Sequence, residues 1–144
     1  MKQLKTQIEI NATPLKVWTV LTDFANYKNW NPFISELSGS VAVDNQIKVM
    51  LKPEGSKGMQ FKPTVTSYEV AKRFSWKGKL WIGGIFDGEH IFELEPMGAG
   101  KTLFTQRENF SGILIPFLGK MIDVQTRQGF EAMNARLKEL AEKS

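Results

Sequence analysis

The chain contains a single histidine, His90, within the alternating stretch GGIFDGEHIFELEP at positions 83–96. Asp87, Glu89, Glu93 and Glu95 fall on odd positions, and Phe86, Gly88, His90, Phe92 and Leu94 on even ones. Successive side chains of a strand point to opposite faces, so the alternation predicts a strand whose even row faces the interior. Histidine is suited to general acid–base work near neutral pH. A lone histidine among Phe and Leu is therefore either a packed core residue with a partner or part of the wall of a site. The next stretch, KTLFTQRENFSGI, carries Phe104, Gln106, Glu108 and Phe110 on one row, and the strand before His90 carries Phe74 and Trp76. Three polar groups, His90, Gln106 and Glu108, thus share an inner face with large apolar ones. Burying an unpaired charge is costly, whereas apolar walls with a few convergent polar groups describe a ligand pocket.

The two polar strands are joined by PMGAGKT at 96–102. It resembles a phosphate loop superficially, but it lacks the first Gly at the required spacing and lies between strands, so a hairpin turn is expected. Two registers keep both even rows inward. Pairing Leu94 with Thr102 sets His90 opposite Gln106; pairing Leu94 with Phe104 sets His90 opposite Glu108. In either one Glu108 is a direct or diagonal neighbour, roughly 5–8 Å away between β-carbons. An interaction of His90 with Glu108, direct or through one water, is expected.

Other chemistries are narrowed by what is missing. With no Cys and one His, disulfides, thiolate zinc sites and a Cys nucleophile are excluded, and no metal site or cofactor is expected. A histidine-dependent triad would have to use His90. The net charge is +4, concentrated between Lys48 and Lys79, where eight basic residues face two acidic ones. That stretch is either the solvated outer face of a sheet or a surface making weak contact with anionic headgroups or an acidic partner. No basic helix or aromatic-studded basic strand appears, so nucleic acid is not an expected partner. No apolar run approaches the roughly 20 residues that span a bilayer, and MKQLKTQIEI alternates like a strand rather than forming a signal-peptide core. A cytoplasmic protein without integral membrane association is expected.

The elements that must position these residues follow from periodicity. Residues 3–11 alternate as a first strand, with Leu4, Thr6, Ile8 and Ile10 on one face. Thr13 as cap and Pro14 in the first turn open a short helix over about 14–21, with Val17, Trp18 and Leu21 at helical spacing. Asp23 is suited to cap a second short helix, which WNPF at 30–33 ends. Six further strands follow, with Asp44-Asn45 as a hairpin turn, making seven. From Pro116 to Glu142 a helix of roughly 27 residues, about 40 Å long, is expected. Its apolar stripes are Phe117, Met121 and Val124, then Phe130, Met133, Leu137 and Leu140. Short connections make the strands antiparallel, and only this helix is long enough to cover the apolar face.

Three motifs in this order resemble the SRPBCC superfamily, also called START-like or polyketide cyclase/dehydrase-like proteins. They are Pro14, Val17, Trp18, Leu21, Asp23, Tyr27, Trp30 and Pro32; then Gly88, Glu89, His90 and Phe92; then Glu108, Phe110 and Gly112. The resemblance covers nearly the whole chain, as one domain over 1–144. It implies an α+β helix-grip fold: a curved antiparallel sheet with two short helices after strand one, and a long C-terminal helix over the concave face. It also implies a cavity for hydrophobic ligands between sheet and helix, with Trp30 and Phe33 at its mouth.

The expected function is binding of a small hydrophobic or amphipathic ligand, lipid-, polyketide- or aromatic-like. Its walls are Trp30, Phe33, Trp76, Phe86, Phe92, Phe104 and Phe110, with Met121 and Gln125 one turn apart as a roof and His90, Gln106 and Glu108 orienting a polar head. Two alternatives stand beside it. One is a cyclase/dehydrase-type enzyme using His90, with Glu108, for general acid–base chemistry. The other is a non-catalytic interaction module using the basic sheet face. Gly129, inside the long helix, either allows a close approach to the sheet or leaves room for ligand.

Overall fold

The first alternating run forms β1 (Lys2–Ile10), which buries Leu4, Thr6 and Ile10, in a computed structural model that describes residues 2–52, 58–79 and 87–143. At its end the period changes to helical. Thr13 Oγ1 accepts the Lys16 N–H at 3.3 Å, and Pro14 opens α1 (Pro14–Leu21), which buries Val17, Trp18 and Leu21. A 3-10 turn (Phe24–Asn26) leads into α2 (Tyr27–Trp30). Asp23 stands before that turn, but its side chain makes no capping hydrogen bond. The sharper device is at the exit. Asn31 Oδ1 accepts the N–H groups of Phe33 at 3.0 Å and Ile34 at 2.9 Å, an Asx-type turn that ends the helix and starts β2 (Ile34–Ser38).

Eight strands form among the described residues where seven were expected. The run MQFKPTVTSYEV divides at Lys62-Pro63 into β4 (Met59–Phe61) and β5 (Thr64–Glu69), because Pro63 has no N–H to give to a ladder. Asp44, at φ 73°, does turn the chain, with Asn45 N–H donating to Ala42 O at 3.0 Å. However, β2 and β3 (Lys48–Leu51) stop short of it, so the connection is longer than a tight hairpin. The sheet order is β1-β8-β7-β6-β5 beside β2-β3-β4, antiparallel throughout, with β6 (Arg73–Lys79), β7 (Asp87–Pro96) and β8 (Thr102–Ser111). The two parts are joined through the Gln46–Thr64 bridge and the Ile47 N–H donated to Pro63 O at 3.0 Å.

The C-terminal helix comes in three successive pieces: α3 (Ile115–Met121), a π segment (Ile122–Thr126) and α4 (Arg127–Glu142). The wider π turn resets the helical phase. The expected stripe through Phe117 and Val124 therefore does not face the sheet: Phe117 is 82% exposed and Val124 half exposed, while Ile122 is buried. Beyond the π segment the phase is regular. Phe130, Met133, Asn134, Leu137 and Ala141 are buried, and α4 packs against β1 and α1. Leu140 is only partly covered. Met97 N–H donates to Lys101 O at 2.9 Å, closing PMGAGK as the β7–β8 hairpin turn.

Candidate functional site

His90 on β7 pairs across the ladder with Glu108 on β8, and Leu94 with Phe104. Of the two registers expected from parity, this is the one that puts histidine and glutamate directly opposite. Gly88, His90, Phe92 and Leu94 are buried on the inner face, and Glu95 is exposed on the other. His90 Nδ1 lies 3.4 Å from Glu108 Oε1, and His90 Nε2 lies 2.8 Å from Gln106 Oε1. His90 is 1% exposed and Glu108 7%.

Four rings surround the imidazole. Phe92 stacks on it at 4.4 Å between centroids, and Phe130 of α4, Trp76 and Phe33 lie at 4.9, 5.3 and 6.4 Å. Phe33 owes its place to Gly129: a Cβ at that position would fall 2.3 Å from Phe33 Cδ1. The helix glycine thus makes room for a ring of this chain. Gly88 has a similar role for the acid, because a Cβ there would meet Glu108 Oε2 at 2.3 Å. The carboxylate lies over the bare backbone of Gly88. Among the described residues no hydrogen-bond donor is placed on it, and its polar neighbour is the His90 ring.

The polar line continues toward the helix. Gln106 Nε2 donates to Asn134 Oδ1 at 2.8 Å and to Phe130 O at 3.5 Å; Asn134 Nδ2 donates to Thr6 Oγ1 at 2.9 Å; Thr6 Oγ1 donates to Gln106 O at 3.1 Å. Thr6, Gln106 and Asn134 are all buried. Asn134 was not among the expected site residues. Its signal was legible: it sits one turn after Phe130 and three residues before Leu137, a polar side chain on the apolar stripe of α4.

Of the expected wall, Trp30, Phe33, Trp76, Phe92, Phe104 and Phe110 are all buried, and His90, Gln106 and Glu108 join them. Gln125 does not. It lies exposed in the π segment, because the phase reset turns it away from the sheet. Phe86 and the side chain of Met121 lie outside the described residues. Trp30 contacts the Tyr27 ring at 5.3 Å, and its buried Nε1–H has no acceptor among the described residues. Tyr27 itself donates to Leu21 O, and burial, then the nearby Asp23 charge, holds its ionisation well above the ordinary tyrosine range.

The outer face is less basic than the composition suggested. Arg73, Lys77 and Lys79 on β6 stand opposite Glu93, Glu89 and Asp87 on β7. Arg73 also meets Glu69 at 3.0 Å, and Arg107 donates to Glu93 at 2.8 Å. The lysine-rich strand is thus interleaved with acids from its neighbour. A cleft of about 700 Å³ at the β4–β6 edge, lined by Phe61, Lys62, Lys77 and Gly78 among others, includes none of the inner residues around His90. No helix among the described residues is long and apolar enough to cross a membrane.

Residues 1–142 match the family model described as "Polyketide cyclase / dehydrase and lipid transport". No curated protein matches the sequence. Solved structures share the fold at low identity. A START superfamily protein from Mycobacterium smegmatis superposes with a TM-score of 0.76 at 20% identity, covering 98% of this chain and 97% of that one. The Zhui aromatase/cyclase from Streptomyces sp. R1128 gives 0.77 at 12%, covering 99% and 94%. The di-domain ARO/CYC BexL from the BE-7585A biosynthetic pathway gives 0.77 at 13%; all of this chain is covered, and it spans 48% of that protein. At these identities the likeness is one of fold.

Proposed function

The chain belongs to the polyketide cyclase/dehydrase and lipid transport family, and from that premise we propose that it binds a small hydrophobic or amphipathic ligand between the sheet and the C-terminal helix. One observation carries the reading: the Glu108 carboxylate is nearly buried, next to His90, with no hydrogen-bond donor upon it among the described residues. A fold held by packing alone needs neither group, and a pair of apolar side chains would serve stability as well or better. The aromatic surround supplies the apolar contact, and the acid and imidazole supply an anchor for a polar head. The buried Trp30 Nε1–H, without an acceptor among the described residues, adds an uncommitted donor.

The test is extraction. Protein purified without detergent is extracted with organic solvent, and the extract is analysed by mass spectrometry. A stoichiometric hydrophobic compound is expected, retained by the wild type and depleted in His90→Phe and Glu108→Gln variants that keep the wild-type circular dichroism. Equal retention by all three proteins would make the pair merely structural. No compound, together with no saturable binding of a naphthalene fluorophore, would overturn the binding reading.

A second reading draws on the same 3.4 Å pair. His90 beside a carboxylate has the composition of a general acid–base unit, suited to a cyclase/dehydrase-type step on a ketide carbonyl. Conversion of a ketide thioester analogue, abolished by His90→Phe, would favour it. Binding of the analogue without turnover would leave the carrier. The acids facing Arg73, Lys77 and Lys79 reduce the charge that an interaction module on that strand would use.

A further inference from the structure

The hydrogen bonds around His90 have a fixed direction, and it can be followed from a group whose role is not in doubt. The backbone carbonyl of Gln106 only accepts, so Thr6 Oγ1, 3.1 Å away, must spend its single proton there. Thr6 Oγ1 then accepts from Asn134 at 2.9 Å, which requires the Asn134 amide nitrogen at that contact. The Asn134 oxygen is left to face Gln106 at 2.8 Å, so Gln106 presents its nitrogen there. The 3.5 Å contact of that nitrogen with Phe130 O, a second carbonyl, agrees with this orientation but is too long to fix it alone. Gln106 Oε1 is therefore the atom facing His90 Nε2 at 2.8 Å, and Nε2 must carry a proton.

We infer that Thr6, Asn134 and Gln106 are positioning residues that hold His90 as the Nε2–H tautomer, and that Nδ1 with the Glu108 carboxylate thereby forms a paired acceptor selecting a ligand head that donates a hydrogen bond, an alcohol or phenol hydroxyl. The inference rests on the binding reading above and names its ligand class. Nδ1 and Oε1 stand 3.4 Å apart, so both sets of lone pairs serve one donor. A carbonyl, carboxylate or ether head only accepts, and it meets repulsion from both atoms. Selection of this kind comes from the mismatch as much as from the match. The relay runs through β8, α4 and β1, and every member of it is buried, so water does not compete for its bonds.

One histidine in the chain gives one imidazole to observe. Long-range ¹H–¹⁵N correlation spectra of ligand-free, ¹⁵N-labelled protein at about pH 8, above the ordinary histidine range, should show Nε2 pyrrole-like and Nδ1 pyridine-like. Thr6→Val, and separately Asn134→Leu, should move both nitrogens toward averaged values as the second tautomer is admitted. A merely structural role would lower stability and leave the spectrum unchanged. An Nδ1–H tautomer, or imidazolium at that pH, in the wild type overturns the inference. The head group is tested with 2-naphthol against 2-methoxynaphthalene. The phenol should bind the wild type roughly tenfold or more tightly, the usual worth of a hydrogen bond to a charged acceptor, and the preference should shrink in Glu108→Gln. Equal binding of the two probes overturns the paired acceptor while leaving a hydrophobic carrier intact. Binding of neither sinks the carrier reading and the head-group class together, and the spectrum still decides the tautomer.

Discussion

Gly129→Ala is the substitution for which sequence and structure give opposite signs. In a helix interior Ala is favoured over Gly by about 1 kcal/mol, so helix propensity alone predicts a more stable protein. The structure places a Cβ at that position 2.3 Å from Phe33 Cδ1, 2.7 Å from Cε1 and 3.1 Å from Cγ. Carbon atoms rest at about 3.5–4.0 Å, so more than 1 Å of overlap must be relieved. Phe33 cannot swing into solvent: it is 1% exposed and pinned edge-on against Phe130 at 5.4 Å. Overpacking of a fixed core costs about 1–3 kcal/mol, and this contact belongs at the upper end. The net expectation is a loss of about 1–2 kcal/mol, read as a lower urea midpoint with unchanged slope. The companion experiment removes the obstacle. Phe33→Ala alone should cost about 3–5 kcal/mol, but in that background Gly129→Ala should become neutral or stabilise by up to about 1 kcal/mol. The resulting coupling of about 1–3 kcal/mol is what a direct contact gives. If Gly129→Ala stabilises the wild type, the Phe33 ring does not lie against the helix as described.

Three further perturbations test other parts of the structure. Leu137→Ala empties a fully buried position on α4 and should cost about 2–5 kcal/mol in denaturant titration; a loss below about 1 kcal/mol would mean the helix is not seated on the sheet. The Tyr27 ionisation is raised in the folded state, so its contribution is complete below the unfolded value of about 10 and is lost as pH rises through the folded one. Tyr27→Phe should therefore be less stable than the wild type at neutral pH, by about 1–2 kcal/mol for the lost bond to Leu21 O, and the gap should narrow above about pH 10; a constant gap would refute the shift. On the outer face, anionic vesicles should retain the protein weakly or not at all, because Arg73 and Lys77 each face a glutamate; retention that falls steeply with added salt would refute charge balance across that face.

What was legible in the sequence divides along the range of the forces involved. Strand parity is local, and it placed His90, Phe92, Gln106 and Glu108 on one face correctly and limited the hairpin to two registers. Thr13-Pro14 is a local cap and marked α1 to the residue. The failures arose where a distant group decides. Asp23 has the right type for a cap, but the turn after it is closed by backbone bonds, and Asn31 does the comparable work at the other end. The π segment at Ile122–Thr126 carries no Pro or Gly to announce it, so a uniform 3.6 period carried Val124 and Gln125 to the wrong face. A count of the basic run at 48–79 along the chain does not show that Arg73, Lys77 and Lys79 face acids of β7 across the ladder.

Asn134 shows why the site itself was only half visible. On the helix it reads as a flaw in an apolar stripe, and on the sheet Thr6 reads as an ordinary β-branched residue. Neither suggests the other until β1, β8 and α4 are brought together. Once assembled, the two complete a relay in which each amide and hydroxyl contact has one workable direction, beginning at the Gln106 carbonyl and ending at His90 Nε2. The relay is made of neutral groups that satisfy one another, so it costs little to bury. Glu108 is different, because it is an ionisable acid with no hydrogen-bond donor upon it among the described residues. A buried acid beside an imidazole lowers stability relative to an apolar pair unless something returns that free energy. Under the binding function proposed above, the group that returns it is the hydroxyl of a ligand. On that proposal Glu108→Gln is expected to weaken binding while leaving the fold at least as stable as the wild type.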